Sequence, residues 1–177
     1  MATRTESALA EIKKYNERII IAHFNGNPGT TIIVHYSPTE GSETSEEHYI
    51  NLGNAIKLVP KHNILLVIGD FNAHIGVEDA KYTYHNNTNT NGKFLLDLVA
   101  ENNLVITNTT FQKRPGKSWT YISDMNGNSS QIDYILINRK WKNTVKNVES
   151  YNSFSSVGSD HRVLTARLKF TTKESCI

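Results

Sequence analysis

The sequence predicts a layered α/β fold in which β-sheets are flanked by helices. Two patterns carry that prediction. Strand-like and helix-like segments alternate through the first half of the chain and strands then run in series. The run Ile64-Leu65-Leu66-Val67-Ile68 is apolar on both faces, as a strand in the interior of a sheet must be. The 177 residues amount to one domain, and 38% hydrophobic with 9% aromatic residues is enough for an ordinary core, which excludes wholesale disorder.

Each element has its own signal. Leu9, Ile12 and Tyr15 recur at helical spacing and predict a short helix over 6–16. Arg18 to Phe24 is β-branched and apolar, the breakers Asn25 to Gly29 follow, and Thr30 to Tyr36 is again β-rich, so the three read as a hairpin. After a turn at Pro38 to Ser42, Thr44 and Glu47 have capping-box spacing. Tyr49, Leu52, Ile56 and Val59 then share one helical face until Pro60. A second helix starts near Asn91, turns Phe94, Leu95, Leu98 and Val99 inward and ends at Asn102-Asn103. Strands are predicted at Leu104 to Asn108, Ser118 to Ile122, Ile132 to Asn138, Val145 to Tyr151 and His161 to Phe170. The last alternates, with Leu164, Ala166, Leu168 and Phe170 on one face. There is no internal repeat and no interdomain linker.

Charge excludes more than it identifies. Nineteen Lys and Arg against 17 Asp and Glu leave a net charge of +2, too mild to announce nucleic-acid binding, so any phosphate-binding surface must come from local clustering. Apolar runs fall far short of the roughly 20 residues of a membrane span, and the polar N-terminus lacks the apolar core of a secretory signal. An intracellular chain is therefore expected. Cys176 is the only cysteine, which excludes a disulfide scaffold or a zinc site built from several thiolates. The sequons at Asn86, Asn108 and Asn128 read as products of an Asn-rich composition.

Four short segments carry chemistry. Gly69-Asp70-Phe71-Asn72 follows the most buried strand; if extended geometry persists, Asp70 and Asn72 project to one side and can hold a water or a divalent cation. An Asx turn that ends the strand explains the same residues equally well. Ser159-Asp160-His161 enters the last strand and suits a hard cation and a phosphate, or is ordinary turn chemistry. Asp133 lies in the apolar run Ile132 to Ile137, where an unpaired carboxylate is costly, so it needs a partner: His161, or one of the Lys and Arg residues. Tyr36 ends a strand before Ser37-Pro38, placed to present its hydroxyl to a phosphate or simply to cap the core.

In chain order, Tyr36-Ser37-Pro38, Gly69-Asp70-Phe71-Asn72, Ile132-Asp133-Tyr134 and Ser159-Asp160-His161, the four segments resemble the endonuclease/exonuclease/phosphatase superfamily. Phe24 to Pro28, Tyr36 to Thr39, Ser118 to Tyr121, Gln131 to Trp141 and Ser155 to His161 are similar to endonuclease domains of RTE-type non-LTR retrotransposons and to craniofacial development protein 2-like chains. The resemblance implies a four-layered α/β sandwich, two stacked sheets flanked by helices, and Mg²⁺- or Mn²⁺-dependent hydrolysis of a phosphodiester. It implies that Asp70 positions or deprotonates the water and that Asn72 orients it. By the same likeness Asp160, with Asp70 and Asn72, binds metal, His161 stabilises phosphoryl charge, Asp133 holds His161 and Tyr36 contacts phosphate.

Family members begin with further strands that carry an Asn and a metal-binding Glu; Met1 to Asn16 has no strand-plus-Asn pattern, and Glu6, Glu11 and Glu17 lie in the wrong context to replace that Glu. The expected organisation is a poorly defined segment over 1–17, the C-terminal part of the family domain over 18–170, and a tail over 171–177. Missing strands would leave a sheet edge open for self-association. Lys113, Arg114 and Lys117 beside Trp119, and Arg139 and Lys140 beside Trp141, are candidate contacts to DNA, or solvated loops. DNA as the substrate implies a nuclear location. The expected function is a DNA-nicking endonuclease. The alternatives are a catalytically silent remnant, either a binding module or without function, and a phosphatase of phospholipids or small molecules.

Overall fold

A computed structural model describes residues 8–114, 116–123, 125, 127–151 and 158–170. Six strands form the main sheet: β1 (Leu9–Lys14), β2 (Ile19–Phe24), β3 (Thr30–Tyr36), β4 (Ile64–Asp70), β5 (Leu104–Ile106) and β8 (Asp133–Asn138). Their order is β1-β2-β3-β4-β8-β5, and only β3 and β4 pair in parallel. Helix α1 (Ser45–Lys57) makes that parallel crossover, and α2 (Thr90–Glu101) precedes β5. An antiparallel ribbon, β9 (Val145–Tyr151) with β10 (Val163–Leu168), and a small pair, β6 (Tyr121–Ile122) with β7 (Ser129–Ser130), complete the fold.

Alternation sorts the core into two layers. Ile19, Ile21, Ile33, Leu65, Val67, Tyr134 and Leu136 point to one face of the sheet and pack under Leu52, Ile56, Leu95 and Leu98 of the helices. Their in-between neighbours Leu66, Ile68, Ile135 and Ile137 face the other way, against Val145, Val148, Leu164 and Leu168 of the ribbon. Helices, main sheet and ribbon are therefore stacked, as the fold prediction requires. The ribbon covers only the β4-β8-β5 half. On the β1-β2-β3 half of that face, Ile12 (64% exposed), Ile20 (47%) and Val34 (43%) are open to solvent, beside Ala22 and Ile32 in register with them.

Several local expectations change. Residues 9–14 form β1, not a helix: all six are exposed, so no apolar helical face has a core to meet, and pairing with β2 across a turn at Asn16 satisfies the backbone instead. The capping box is not made, because Thr44 Oγ1 pairs with Ser42 Oγ at 3.0 Å. The Leu104 strand ends at Ile106 and turns into a 3-10 segment, Thr107–Thr109. Of 118–122 only Tyr121–Ile122 is strand, and β10 begins at Val163, with His161 in an isolated bridge to Tyr121. Phe170 lies beyond β10 and is 46% exposed. The Asn108 amide is buried, donating to Asp133 O and accepting from Ile135 N–H, so that sequon is structural. Cys176 and Ser155 to Val157 fall outside the described residues.

Candidate active site

Register builds the site. Tyr36 on β3 is the partner of Asp70 on β4, and Asp70 is the partner of Asp133 on β8. The alternation that turns Ile68 and Ile135 towards the ribbon turns Asp70 and Asp133 the same way, so the three residues form a row at one end of the sheet. β3 and β4 approach closely there: a Cβ on Gly69, whose φ is +149°, would lie 1.9 Å from the His35 carbonyl oxygen. That contact explains why glycine precedes Asp70.

The strand stops at Asp70. Asn72 is in the left-handed region, φ +48°, and its N–H donates to Asp70 Oδ1 at 2.8 Å. The Asx turn is therefore present: it brings the Asn72 backbone N–H back to the Asp70 carboxylate, in place of the extended geometry that would set the two side chains on one face. Asn72 Nδ2 donates to Ser37 O at 2.9 Å, which leaves its Oδ1 without a partner among the described residues. Buried tyrosines hold the loop: Tyr49 donates to Phe71 O at 2.7 Å and Tyr134 to Ala73 O at 3.1 Å.

Asp133 has the partner its apolar strand demands. His161 Nδ1 lies 3.0 Å from Asp133 Oδ2, the only ion pair among the described residues. The contact raises the His161 pKa, chiefly through the Asp133 hydrogen bond. It also fixes the ring so that Nε2 is left for another group. Burial pushes Asp70 up to about 6, and the charges of Asp133 and Asp160 add to it, against the Asn72 N–H and His161. Asp160 thus acts on both Asp70 and His161, while its carbonyl accepts from Ile122 N–H at 2.9 Å. Tyr36 is 51% exposed, with the Arg18 guanidinium 5.4 Å from its ring centroid.

No three His, Cys, Asp or Glu side chains among the described residues form a group that could hold a metal ion. The row instead offers hard oxygen donors: the Asp70 and Asp160 carboxylates and the Asn72 amide oxygen. Such a set suits Mg²⁺ or Mn²⁺, since Mg²⁺ keeps several waters and takes one or two protein carboxylates. Burial lifts Asp70 first and the Asp133 and Asp160 charges add to it, and a cation would offset both by favouring the ionised carboxylate.

The basic candidates divide. Lys113 is 5.0 Å from the Phe111 ring centroid, Lys117 is 3.8 Å from that of Tyr151, and Arg114 is exposed in the same loop. Trp119 carries the Arg162 guanidinium 2.9 Å from its ring centroid, and Arg162 follows His161 directly, so this cluster borders the site. Arg139 and Lys140 do not join it. They follow Asn138, at the opposite end of β8 from Asp133, because a strand carries its first and last residues apart.

Positioning residues with no sequence motif complete the arrangement. Thr120 Oγ1 accepts from Ile132 N–H and Asp133 N–H. Buried Asn91 donates through Nδ2 to Pro38 O and Asn72 O, tying the Tyr36 turn to the Asp70 loop. His85 Nε2 accepts from Gln131 N–H at 3.0 Å while its ring stacks on His74 at 3.7 Å, bridging the two acidic segments. Their one sequence signal is polarity next to a motif, which many loop residues share.

No family model matches the chain. It is 30% identical to craniofacial development protein 2 of Bos taurus, over 96% of this chain and 30% of that protein. The figures for Tragulus javanicus are 30%, 96% and 31%, so the chain spans less than a third of these relatives. Among solved structures it resembles the 3' phosphatase NExo from Neisseria bound to product DNA hairpin, with TM-score 0.72 and 16% identity over 92% of this chain and 72% of that one. The endonuclease domain of TRAS1, a telomere-specific non-LTR retrotransposon, matches with TM-score 0.66 and 16% identity over 93% and 70%. An endonuclease/exonuclease/phosphatase family protein from Leptotrichia buccalis matches with TM-score 0.57 and 18% identity over 86% and 54%. The chain therefore has the endonuclease/exonuclease/phosphatase fold, and nearly all of it is similar in sequence to craniofacial development protein 2.

Proposed function

We propose that the chain hydrolyses phosphodiester bonds in DNA as a metal-dependent endonuclease of the retrotransposon type. The observation that carries this reading is the Asp133–His161 pair beside Asp70, in a row with Tyr36. Asp70, with Oδ1 committed to the Asn72 N–H, has Oδ2 left to take a proton from the attacking water. Asn72 Oδ1 accepts the second hydrogen of that water and aims its lone pair. His161, held through Nδ1, donates from Nε2 to a phosphoryl oxygen and the Tyr36 hydroxyl donates to another, while the P–O bond opposite the attacking water breaks and its oxygen leaves as an alcohol, protonated from solvent. Asp70, Asp160 and Asn72 would hold Mg²⁺ or Mn²⁺, which when bound neutralises phosphate charge and lowers the pKa of coordinated water.

Nicking of supercoiled plasmid with Mg²⁺ or Mn²⁺ tests the reading. The wild-type chain should nick, and Asp160→Ala and His161→Ala should each lose at least about 100-fold; nicking unchanged in both variants overturns the assignment. A second reading, a catalytically silent nucleic-acid-binding module, draws on the absence of a three-residue metal-binding group among the described residues. Metal-dependent nicking by the purified chain ends it.

A further inference from the structure

Two concavities lie at the end of the main sheet remote from Asp70. One, of about 780 Å³, is lined by the β2–β3 turn with His23, His62, Lys140 and Trp141. The other, of about 530 Å³, is lined by Lys57, Lys61, Arg139 and Lys140 together with Asn103. They share Pro60 and Lys140 and so form one surface. Its charge is one-sided. Lys57, Lys61, Arg139 and Lys140 are all exposed, none has an ion-pair partner among the described residues, and Glu101 is the only carboxylate lining either hollow.

A plain structural role accounts for part of this set. Lys57 lies in the last turn of α1, where a cation suits the helix dipole, and Arg139 Nε donates to Asn103 Oδ1. Lys61 and Lys140 have neither duty, and the Arg139 terminal nitrogens remain. Four unpaired cations on a concave surface repel one another unless an anion joins them. Half-buried Trp141 packs on the Ile135, Ile137, Val145 and Val148 core and beside Phe170, and the part of its ring left uncovered lines the same surface, with Lys140 Nζ 5.4 Å from the ring centroid. That combination takes phosphates on the cations and a base on the ring. Each hollow has room for about one nucleotide, and a base reaches the Trp141 ring only when it is unpaired, which favours a short single strand across the two hollows over a duplex.

We propose that this end of the sheet binds a single-stranded nucleic-acid segment, with Lys57, Lys61, Arg139 and Lys140 on its phosphates and Trp141 against a base. The inference rests on the proposed nuclease reading only for the class of polymer. The surface lies about 20 Å from Asp70, the length of β4, so it grips a strand away from the candidate active site.

The test measures binding of the full chain to fluorescein-labelled oligothymidylate of about 15 nucleotides, in EDTA, by anisotropy across a salt series. Lys57→Gln/Lys61→Gln/Lys140→Gln should weaken binding at least about tenfold at low salt and reduce the log–log salt slope by about 2, since each cation on a single strand contributes about 0.7. Arg139 is kept because its side chain bonds Asn103, and circular dichroism checks the fold. An oligonucleotide bearing 5-iodouracil should photocrosslink to Trp141. Unchanged affinity and slope in the triple variant overturn the proposal, and so does crosslinking confined to Trp119. Vesicles containing phosphatidylserine that compete as well as the oligonucleotide also overturn it, in favour of a membrane partner. Failure here with nicking intact removes only this surface, whereas loss of nicking with binding intact removes only the nuclease reading.

Discussion

The two ends of the main sheet handle charge in opposite ways, and β8 joins them. At its first residue Asp133 is locked to His161, beside Asp70 and under the field of Asp160. Just past its last residue Arg139 and Lys140 stand exposed with Lys57 and Lys61, in no ion pair among the described residues. The acidic end fixes its groups by backbone register, hydrogen bonds and partial burial, an arrangement that raises the pKa values of Asp70 and His161; the basic end leaves its groups in water. Preorganised charge in a partly dry site can act on a reacting bond, whereas solvated charge contributes mainly salt-dependent attraction.

The largest effect expected from this contrast is on cleavage. Asp133→Asn keeps the size of the side chain but removes the charge that raises the His161 pKa and orients its ring, and should lower plasmid nicking at least about 100-fold. Oligothymidylate affinity in EDTA should stay within about twofold, because the basic end is untouched. A parallel fall in binding and nicking would mean that the two ends are not separate devices.

Backbone geometry comes next. Gly69→Ala places a methyl 1.9 Å from the His35 carbonyl in a left-handed backbone, so the β3–β4 register that aligns Tyr36 with Asp70 cannot survive. A loss of more than about 3 kcal/mol in urea unfolding is expected. At Gly41, with φ +80° and nothing within 4 Å of a Cβ, the same change should cost only about 1 kcal/mol.

Gly69 also shows what was legible in the sequence and what was not. The buried strand Ile64 to Ile68, both helices and the acidic, amide and imidazole motifs could be read because periodicity and motif order are local signals. Register is not local: that Tyr36, Asp70 and Asp133 share one row depends on three strands meeting, which no segment encodes alone. β1 was misread for the same reason, since Leu9, Ile12 and Tyr15 have helical spacing but β2 supplies the pairing edge. Arg139 and Lys140 sit in a basic run like that of Lys113 to Lys117, and only the direction of β8 sends the two runs to opposite ends. Asn91, Thr120 and His85 act through backbone atoms distant in sequence, so their roles had no motif to announce them.

Asp70 offers a stability test. Its folded pKa, about 6, lies above the unfolded value of 3.8, so the folded state holds the proton more tightly. That contribution is fully present below about pH 3.8 and is lost as pH rises through about 6. In metal-free protein Asp70→Asn should therefore raise stability at pH 7 by about 2 kcal/mol, discounted for screening, and leave it nearly unchanged at pH 4. Mg²⁺ should stabilise the wild type at pH 7 more than the variant; urea midpoints with and without the ion measure both differences. Equal midpoints for variant and wild type at pH 7 would show that burial and the neighbouring carboxylates do not disfavour the ionised Asp70.

The smallest effect falls on His85, which braces the acidic end without touching a reacting group. Its Nε2 lies 3.0 Å from the Gln131 nitrogen, whose N–H it accepts when neutral, and 3.1 Å from Gln131 O, to which it donates when protonated; burial first, then His74, lowers its pKa to about 4 against that second bond. A histidine depressed in the folded state stabilises fully above its unfolded pKa of 6.5 and loses that stabilisation as pH falls towards 4. His85→Ala should cost about 1–2 kcal/mol at pH 7, the price of an unpaired buried N–H. The difference from wild type should shrink at pH 4, where charging the buried His85 ring offsets what its contacts contribute. Nicking by His85→Ala should drop only a few-fold, and His85→Gln, whose amide oxygen can accept from Gln131, should recover most of it. A deficit that is the same at both pH values, or that glutamine does not repair, would assign His85 to packing on His74 and not to holding the strand that carries Asp133.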